Sequence, residues 1–401
     1  MFKKLAKNKI YLDYAAAAPE LTVSKKAALR ASRYFGNPSS IHKDGLAAAE
    51  ILKEARADIA YTLGALPEEI IFCGSGTESD NLAILGVFKH LRLSKEFVGK
   101  DLHFITTVIE HPAVLEAHKH IEAMGAKVTY LPVGDDGLVN LKDLRAAFTP
   151  ETVLVSIAYA NNEIGTVQPV REIAKEIRHY RKIIGTDDRP NILPLFHSDA
   201  CQATPYLNLT VAQLGVDFLT FNGTKLGGPR GTGVLYVRRG APLVNMFYGG
   251  DQEYGFRSGT ENVPGIAGLA RALREVHRIK DRESSRVRRL RDYFLEEIKK
   301  RFPNARINGS LEFRLPNNVH VSFPNFQSEL LVLELDARGI SASAGSACSA
   351  SKDGDSHVMT ALCGEGDGKK WGSVRFSLGG GTKKSHINRT LSALSDIQKK
   401  Y

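Results

Sequence analysis

From about residue 50 the chain alternates short apolar runs with longer stretches in which apolar residues recur every three or four positions. EEIIFCGSG (68–76) predicts a strand ending in a glycine-rich turn, and TESDNLAILGVFKHL (77–91) predicts the helix that follows it. Further strands are predicted in LHFITTVIE, KVTYLPV, TVLVSIAYA, ILPLFHSDA, VDFLTFNG and GTGVLYVRR. Helical stretches such as VLEAHKHIEAMG and VREIAKEIRHYRKI separate several of them. Such alternation predicts an α/β fold built on a mostly parallel sheet covered on both faces. After GTENVPGIAGLARALREV (259–276) the pattern changes to a long charged helix, then NNVHVSFP, LLVLELDARGISAS, a polar loop, SVRFSLG and a last helix. The expected organisation is a segment 1–19 packing beside the small domain, a large domain 20–265, and a smaller α+β domain 266–401.

Composition narrows the class. Of the 401 residues, 43% are hydrophobic and 24% charged, enough to fill a sizeable core and too apolar for a disordered chain. The four cysteines, Cys73, Cys201, Cys348 and Cys363, are too few for a disulfide scaffold and show no zinc-ligand spacing, so a reducing compartment and no metal are expected. The basic start MFKKLAKNKIYLDY lacks the apolar stretch of a secretory leader. No uncharged apolar run reaches the roughly 18 residues of a membrane span. A cytoplasmic protein without a membrane partner is the expectation. The formal charge of +10 owes much to residues 277–302, which read as a solvated helix face with mixed charges. No nucleic-acid fold signature accompanies them, so direct nucleic-acid binding is not expected.

Four stretches carry candidate chemistry. Gly74-Ser75-Gly76-Thr77 lies between a strand and a helix, where small residues and a helix N-terminus suit a phosphate; a tight turn capped by Thr77 is the alternative. Asp199 ends an apolar strand, with Gln202 three residues on. A carboxylate there faces the crevice of a doubly wound sheet and can keep a heterocycle nitrogen protonated, or can simply cap the next helix. Lys225 follows another apolar strand inside a run of glycines, a setting in which a lysine can condense with an aldehyde rather than stand solvated in a loop. Cys348 lies in a polar, small-residue stretch that favours thiolate chemistry. Cys73 and Cys363 read as structural, and Cys201 lies near the expected crevice.

In this order the segments resemble the cysteine desulfurases of the class V aminotransferase family, with the long loop of one of its branches. The matching pieces are YLDYAAAAP, FGNPSSIH, CGSGTESDN, EHPAVL, YANNEIGTVQP, SDACQ, NGTKLGGPRGTG, RSGTEN, SAGSACSAS and VRFSLG, from Tyr11 to about Gly379. The resemblance implies a fold-type I homodimer that uses pyridoxal 5′-phosphate to take sulfur from L-cysteine and release L-alanine. It implies that Lys225 holds the cofactor covalently, that Asp199 partners the pyridine nitrogen, and that Gln202 donates to the phenolic oxygen. His111 matches the imidazole stacked on the ring, a candidate for acid–base work, and Asn162 a contact to cofactor or substrate. Gly76 and Thr77 match phosphate binders, and Thr260 the residue supplied by the other subunit. Arg375 matches the clamp for the substrate carboxylate, assisted by Asn37, and Cys348 the nucleophile that becomes a persulfide. Thr224 stands where the family commonly has His and Asn222 where it commonly has Ser; both retain hydrogen-bonding groups for the phosphate. The 27 positions from Cys348 to Arg375 suit a sulfur carried out to an acceptor protein, an iron–sulfur scaffold or a tRNA-thiolation carrier. TDDRPNILP reads as an insert, and the chain ends soon after its last predicted helix, which leaves that acceptor unassigned. The alternatives are selenocysteine lyase or another class V reaction, and a non-catalytic scaffold, against which Lys225 and Cys348 speak.

Overall fold

The computed structural model describes residues 9–185, 192–345, 356–364 and 371–400. Its strands are β1 (Ile10–Tyr11), β2 (Ile70–Cys73), β3 (His103–Thr107), β4 (Lys127–Leu131), β5 (Thr152–Ser156), β6 (Leu195–Asp199), β7 (Phe218–Asn222), β8 (Gly233–Val237), β9 (Arg306–Ile307), β10 (Asn318–Pro324), β11 (Ile340–Ser341) and β12 (Trp371–Ser377). The helices are α1 (Thr22–Ala31), α2 (Lys43–Leu63), α3 (Gly76–Leu93), α4 (Pro112–Ala123), α5 (Leu141–Ala147), α6 (Val170–Ile184), α7 (Val211–Leu214), α8 (Gly223–Leu226), α9 (Val263–Arg301), α10 (Ser328–Ala337), α11 (His357–Cys363) and α12 (Lys384–Lys400).

Strands β2 to β8 form one sheet in the order β2-β8-β7-β6-β5-β3-β4. The pairs from β4 to β7 are parallel, whereas β8 runs antiparallel to both β7 and β2. The sheet is therefore α/β and mostly parallel, with one reversed strand. Side chains alternate between its faces, as the period of two requires. Ile70 and Phe72 join a core with α2, α6 and the first part of α9, while Ile71 and Cys73 join a core with α3 and α4. β2, β3, β5, β6 and β8 are buried at every position because helices cover both faces.

A second sheet, β12-β10-β9, is antiparallel. β1 pairs in parallel with β11, and the chain beyond it reaches β12 at Asp13 and Ser377. LLVLELD folds as part of helix α10. The sequence separates 259–276 from the charged stretch 277–302, yet from Val263 to Arg301 the two are one helix, α9, of 39 residues. Asn262 caps it, with Oδ1 accepting from Gly265 N at 3.1 Å, and Pro264 stands in its first turn, where a missing N–H costs nothing. Val263 to Val276 join the large-sheet core, and Val287 to Ile298 the small-sheet core. Charged positions on α9 pair along its surface, as in Arg278–Glu275, Arg286–Glu283 and Arg301–Glu297. Among the described residues no helix is long and apolar enough to cross a membrane.

Candidate active site

The parallel strands deliver their C-terminal ends to one edge of the large sheet, where ligands bind in open α/β sheets. A cleft of about 210 Å³ opens there, lined mainly by residues from the ends of β2, β3, β5, β6 and β7 and the turns that follow them. It gathers Gly76, Thr77, His111, Asn162, Asp199, Gln202, Asn222, Thr224 and Lys225, nine of the residues singled out in the sequence.

The turn after β2 enters α3, and its cap is Ser75 rather than Thr77: Ser75 Oγ accepts from Glu78 N at 3.0 Å. Ser75 is extended while Gly76 already belongs to the helix, which frees Thr77 to face the cleft. A Cβ on Gly76 would lie 2.8 Å from Asn222 Nδ2 and 2.9 Å from Cys201 Sγ, so the backbone here comes as close to its surroundings as glycine allows. The helix N-terminus and the small residues form an anion cradle.

Asn222 caps α8, its Oδ1 accepting from Lys225 N at 3.2 Å, and its Nδ2 donates to Cys201 Sγ at 3.1 Å. Lys225 Nζ donates to the Ala16 carbonyl at 2.8 Å, and Gln202 Nε2 to the Ala15 carbonyl at 3.0 Å. The N-terminal segment thus meets the cleft through two backbone carbonyls. Asp199 is almost buried, and its Oδ1 accepts from Cys201 N at 2.8 Å.

His111 caps α4, with Nδ1 accepting from Ala113 N at 3.1 Å, so a neutral ring carries its proton on Nε2. Burial pushes its pKa down, the Lys225 and His357 charges add to this, and Asp199 opposes it. Asp80 lines the cleft, and the buried Glu110 precedes His111. Burial raises Asp80 well above the usual range, with the charge of Asp199 second, and Glu110 is pushed up to about 8 mainly by burial, against hydrogen bonds from Ala158 N and Thr107. Asp80 was not singled out in the sequence, although it lies one helical turn after Gly76 and so shares its face.

Arg375 does not line the cleft but borders it. It is 2% exposed, donating from Nη1 to the Asn162 carbonyl at 2.8 Å and from Nη2 to Asp13 Oδ1 at 3.0 Å. Thr260 and Asn37 lie exposed and outside the cleft, Asn37 Oδ1 accepting from Ser39 N at 2.9 Å. Cys348 lies outside the described residues. Cys73 is buried on β2, and Cys363 is partly exposed beside Arg306. Among the described residues no cluster has the makings of a metal site.

The family model described as aminotransferase class-V matches residues 10–389. The chain belongs to this family. It is 41% identical over 98% of its length, and 95% of the relative's, to a cysteine desulfurase IscS of Dictyoglomus turgidum. Among solved structures, a NifS-like protein is 32% identical with a TM-score of 0.87, covering 98% of this chain and all of its own. SspA in complex with cysteine is 33% identical with a TM-score of 0.77, covering 93% of this chain and 99% of its own. In this class-V chain the motifs CGSGTESDN, EHPAVL, YANNEIGTVQP, SDACQ and NGTKLGGPRGTG reach the cleft because each lies at or just after the C-terminal end of a strand of the large sheet, whereas FGNPSSIH, RSGTEN and VRFSLG lie outside it. The carbonyls of Ala15 and Ala16 escaped notice, since backbone acceptors leave no residue-type signal.

Proposed function

We propose that this class-V chain is a pyridoxal 5′-phosphate-dependent cysteine desulfurase that converts L-cysteine to L-alanine and keeps the sulfur as a persulfide on Cys348. The observation that carries the reading is the meeting, in one cleft, of Lys225, Asp199 and the anion cradle at the start of α3. That donor set fits the cofactor: an amine for its aldehyde, a carboxylate for its ring nitrogen and a helix N-terminus for its phosphate. Relatives named cysteine desulfurases support the choice of reaction.

When bound, the cofactor supplies an electron sink for bond changes at the substrate α-carbon. The residues of the chain do the rest. Lys225 Nζ carries the α-proton, His111 offers an imidazole for a proton near the reacting sulfur, and Gln202 and Asn162 orient the ring and substrate. Asn222 and Thr224 join Gly76 and Thr77 at the phosphate. Arg375 exchanges its contact with Asp13 for the substrate carboxylate. The Cys348 thiolate then attacks the substrate sulfur, forming an S–S bond as the C–S bond breaks. The electrons of that bond stay on the substrate β-carbon, which takes a proton and leaves as alanine.

Thr260 and Asn37 belong in this reading to a homodimer that completes the site. Phe35 and Ile41, 86% and 94% exposed, flank Asn37, and the exposed Tyr248 and Tyr254 precede Thr260, as expected for faces covered by a second copy. An acceptor protein with its own thiol would receive the sulfur, in the reducing cytoplasm where such thiols persist. The test is a spectrum of the purified protein with and without L-cysteine, followed by alanine detection. Lys225→Ala is expected to lose both the cofactor absorbance and alanine formation. Cys348→Ser is expected to keep the absorbance and its change on adding cysteine while losing persulfide. A colourless wild-type protein that forms no alanine overturns the proposal.

A further inference from the structure

The turn 161–165, after β5, holds a carboxylate that the reaction above does not use. Glu163 is fully buried; its Oε1 has no partner among the described residues, and its Oε2 accepts from Ser356 Oγ at 2.5 Å. A buried carboxyl group with one oxygen unpartnered is costly, which singles Glu163 out from its surroundings.

Its backbone is pinned on three sides. Asn161 Oδ1 accepts from Glu163 N at 2.8 Å, Asn318 Nδ2 donates to the Glu163 carbonyl at 2.7 Å, and the neighbouring Asn162 carbonyl holds Arg375. The side chain points to two separate pieces of chain. One is Ser356, whose Oγ also accepts from Val358 N at 3.1 Å and so fixes the start of α11. The other is Gly345, where a Cβ would lie 3.2 Å from Glu163 Oε2 and 3.8 Å from Ser356 Cβ, at a φ of +95° that favours glycine. Gly345 is tied in turn to β12: its carbonyl accepts from Ser343 Oγ at 2.8 Å, and Ser343 exchanges backbone hydrogen bonds with Arg375 at 3.1 and 2.7 Å. Gly345 and Ser356 are the residues on either side of 346–355, the stretch that contains Cys348.

We infer that Glu163 is a positioning residue for sulfur transfer: its carboxyl group accepts from Ser356 Oγ and lies against Gly345, and so fixes the two residues that bracket the stretch carrying Cys348. This rests on the reading of Cys348 as nucleophile. The same turn presents Asn162 to the cleft and its carbonyl to the Arg375 guanidinium, so one turn meets both the proposed substrate clamp and the residues that border the nucleophile's stretch.

The test uses the cofactor-loaded full chain with Glu163→Ala and Glu163→Gln. The Ala variant is expected to keep the cofactor absorbance, its change on adding L-cysteine, and KM. Its single-turnover rate of persulfide formation should fall roughly 10- to 100-fold, the scale of a misplacement of about 1 Å. The Gln variant, whose amide oxygen still accepts from Ser356 Oγ, is expected to recover most of that rate. Alkylation of Cys348 by iodoacetamide, which needs no turnover, is expected to change in rate with Ala and to return towards wild type with Gln. An Ala variant with wild-type persulfide and alkylation rates overturns the inference, as does a Gln variant no better than Ala. Wild-type protein that forms no alanine would overturn the proposed reaction instead, and the alkylation rates would still judge Glu163.

Discussion

The guanidinium of Arg375 donates to Asp13 and to the Asn162 carbonyl, shielded from water. A buried arginine must be paired, and its planar fork can trade one carboxylate for another without leaving its place. Arg375→Lys keeps the charge but loses the two parallel N–H groups. Its KM for L-cysteine is expected to rise about tenfold or more, a loss of about 1.4 kcal/mol, with the cofactor spectrum unchanged; steady-state kinetics check this, and an unchanged KM would remove Arg375 from substrate binding. The residue type was legible in VRFSLG, but its carboxylate partner was not, because Asp13 lies 362 positions away in sequence.

At the scale of elements, α3 does most to shape the site. Its N-terminus is presented by the short turn after β2, with Ser75 as cap and Gly76 pressed against Asn222 and Cys201. Gly76→Ala inserts a methyl group where only 2.8 Å is available. Cofactor affinity in that variant is expected to fall by about tenfold or more while the circular dichroism of the fold is retained, since overpacking here displaces the cradle and costs about 1–3 kcal/mol; equilibrium dialysis against added cofactor reads the change. The strand–helix alternation predicted this element to within a residue or two, because a period change from two to 3.6 is a local signal. The helix α9 was less legible. Its first half is apolar and its second charged, since each half answers to a different environment, and only the packing joins them.

In the whole molecule the small sheet is joined to the large one beside the cleft, through Arg375 with the Asn162 carbonyl, Asn318 with the Glu163 carbonyl and, just before β10, the Leu315 N–H with the Gly165 carbonyl at 2.8 Å. The cores on either side hold histidines kept neutral by burial, with His118 lowered to about 4 and His197 and His320 to about 3. Folded values below the ordinary 6.5 mean stability that is present above pH 6.5 and is lost as pH falls towards those values. Between pH 7 and pH 5 each histidine is expected to remove on the order of 2 kcal/mol. Urea midpoints at the two pH values check this, and His118→Asn is expected to shrink the drop by about one such share; an equal drop in that variant would sink the idea.

The order of strands and helices, the turns that end them and the residue types placed at those turns were set by the sequence itself, because periodicity, capping and glycine content act over a few residues. The reversal of β8, the continuity of α9, the carbonyls of Ala15 and Ala16 at Gln202 and Lys225, and the placing of Glu163 beneath Gly345 and Ser356 were decided by tertiary structure. Each of these joins stretches far apart in the chain through burial and hydrogen bonding, and no local pattern of side chains encodes which distant group will arrive as the partner.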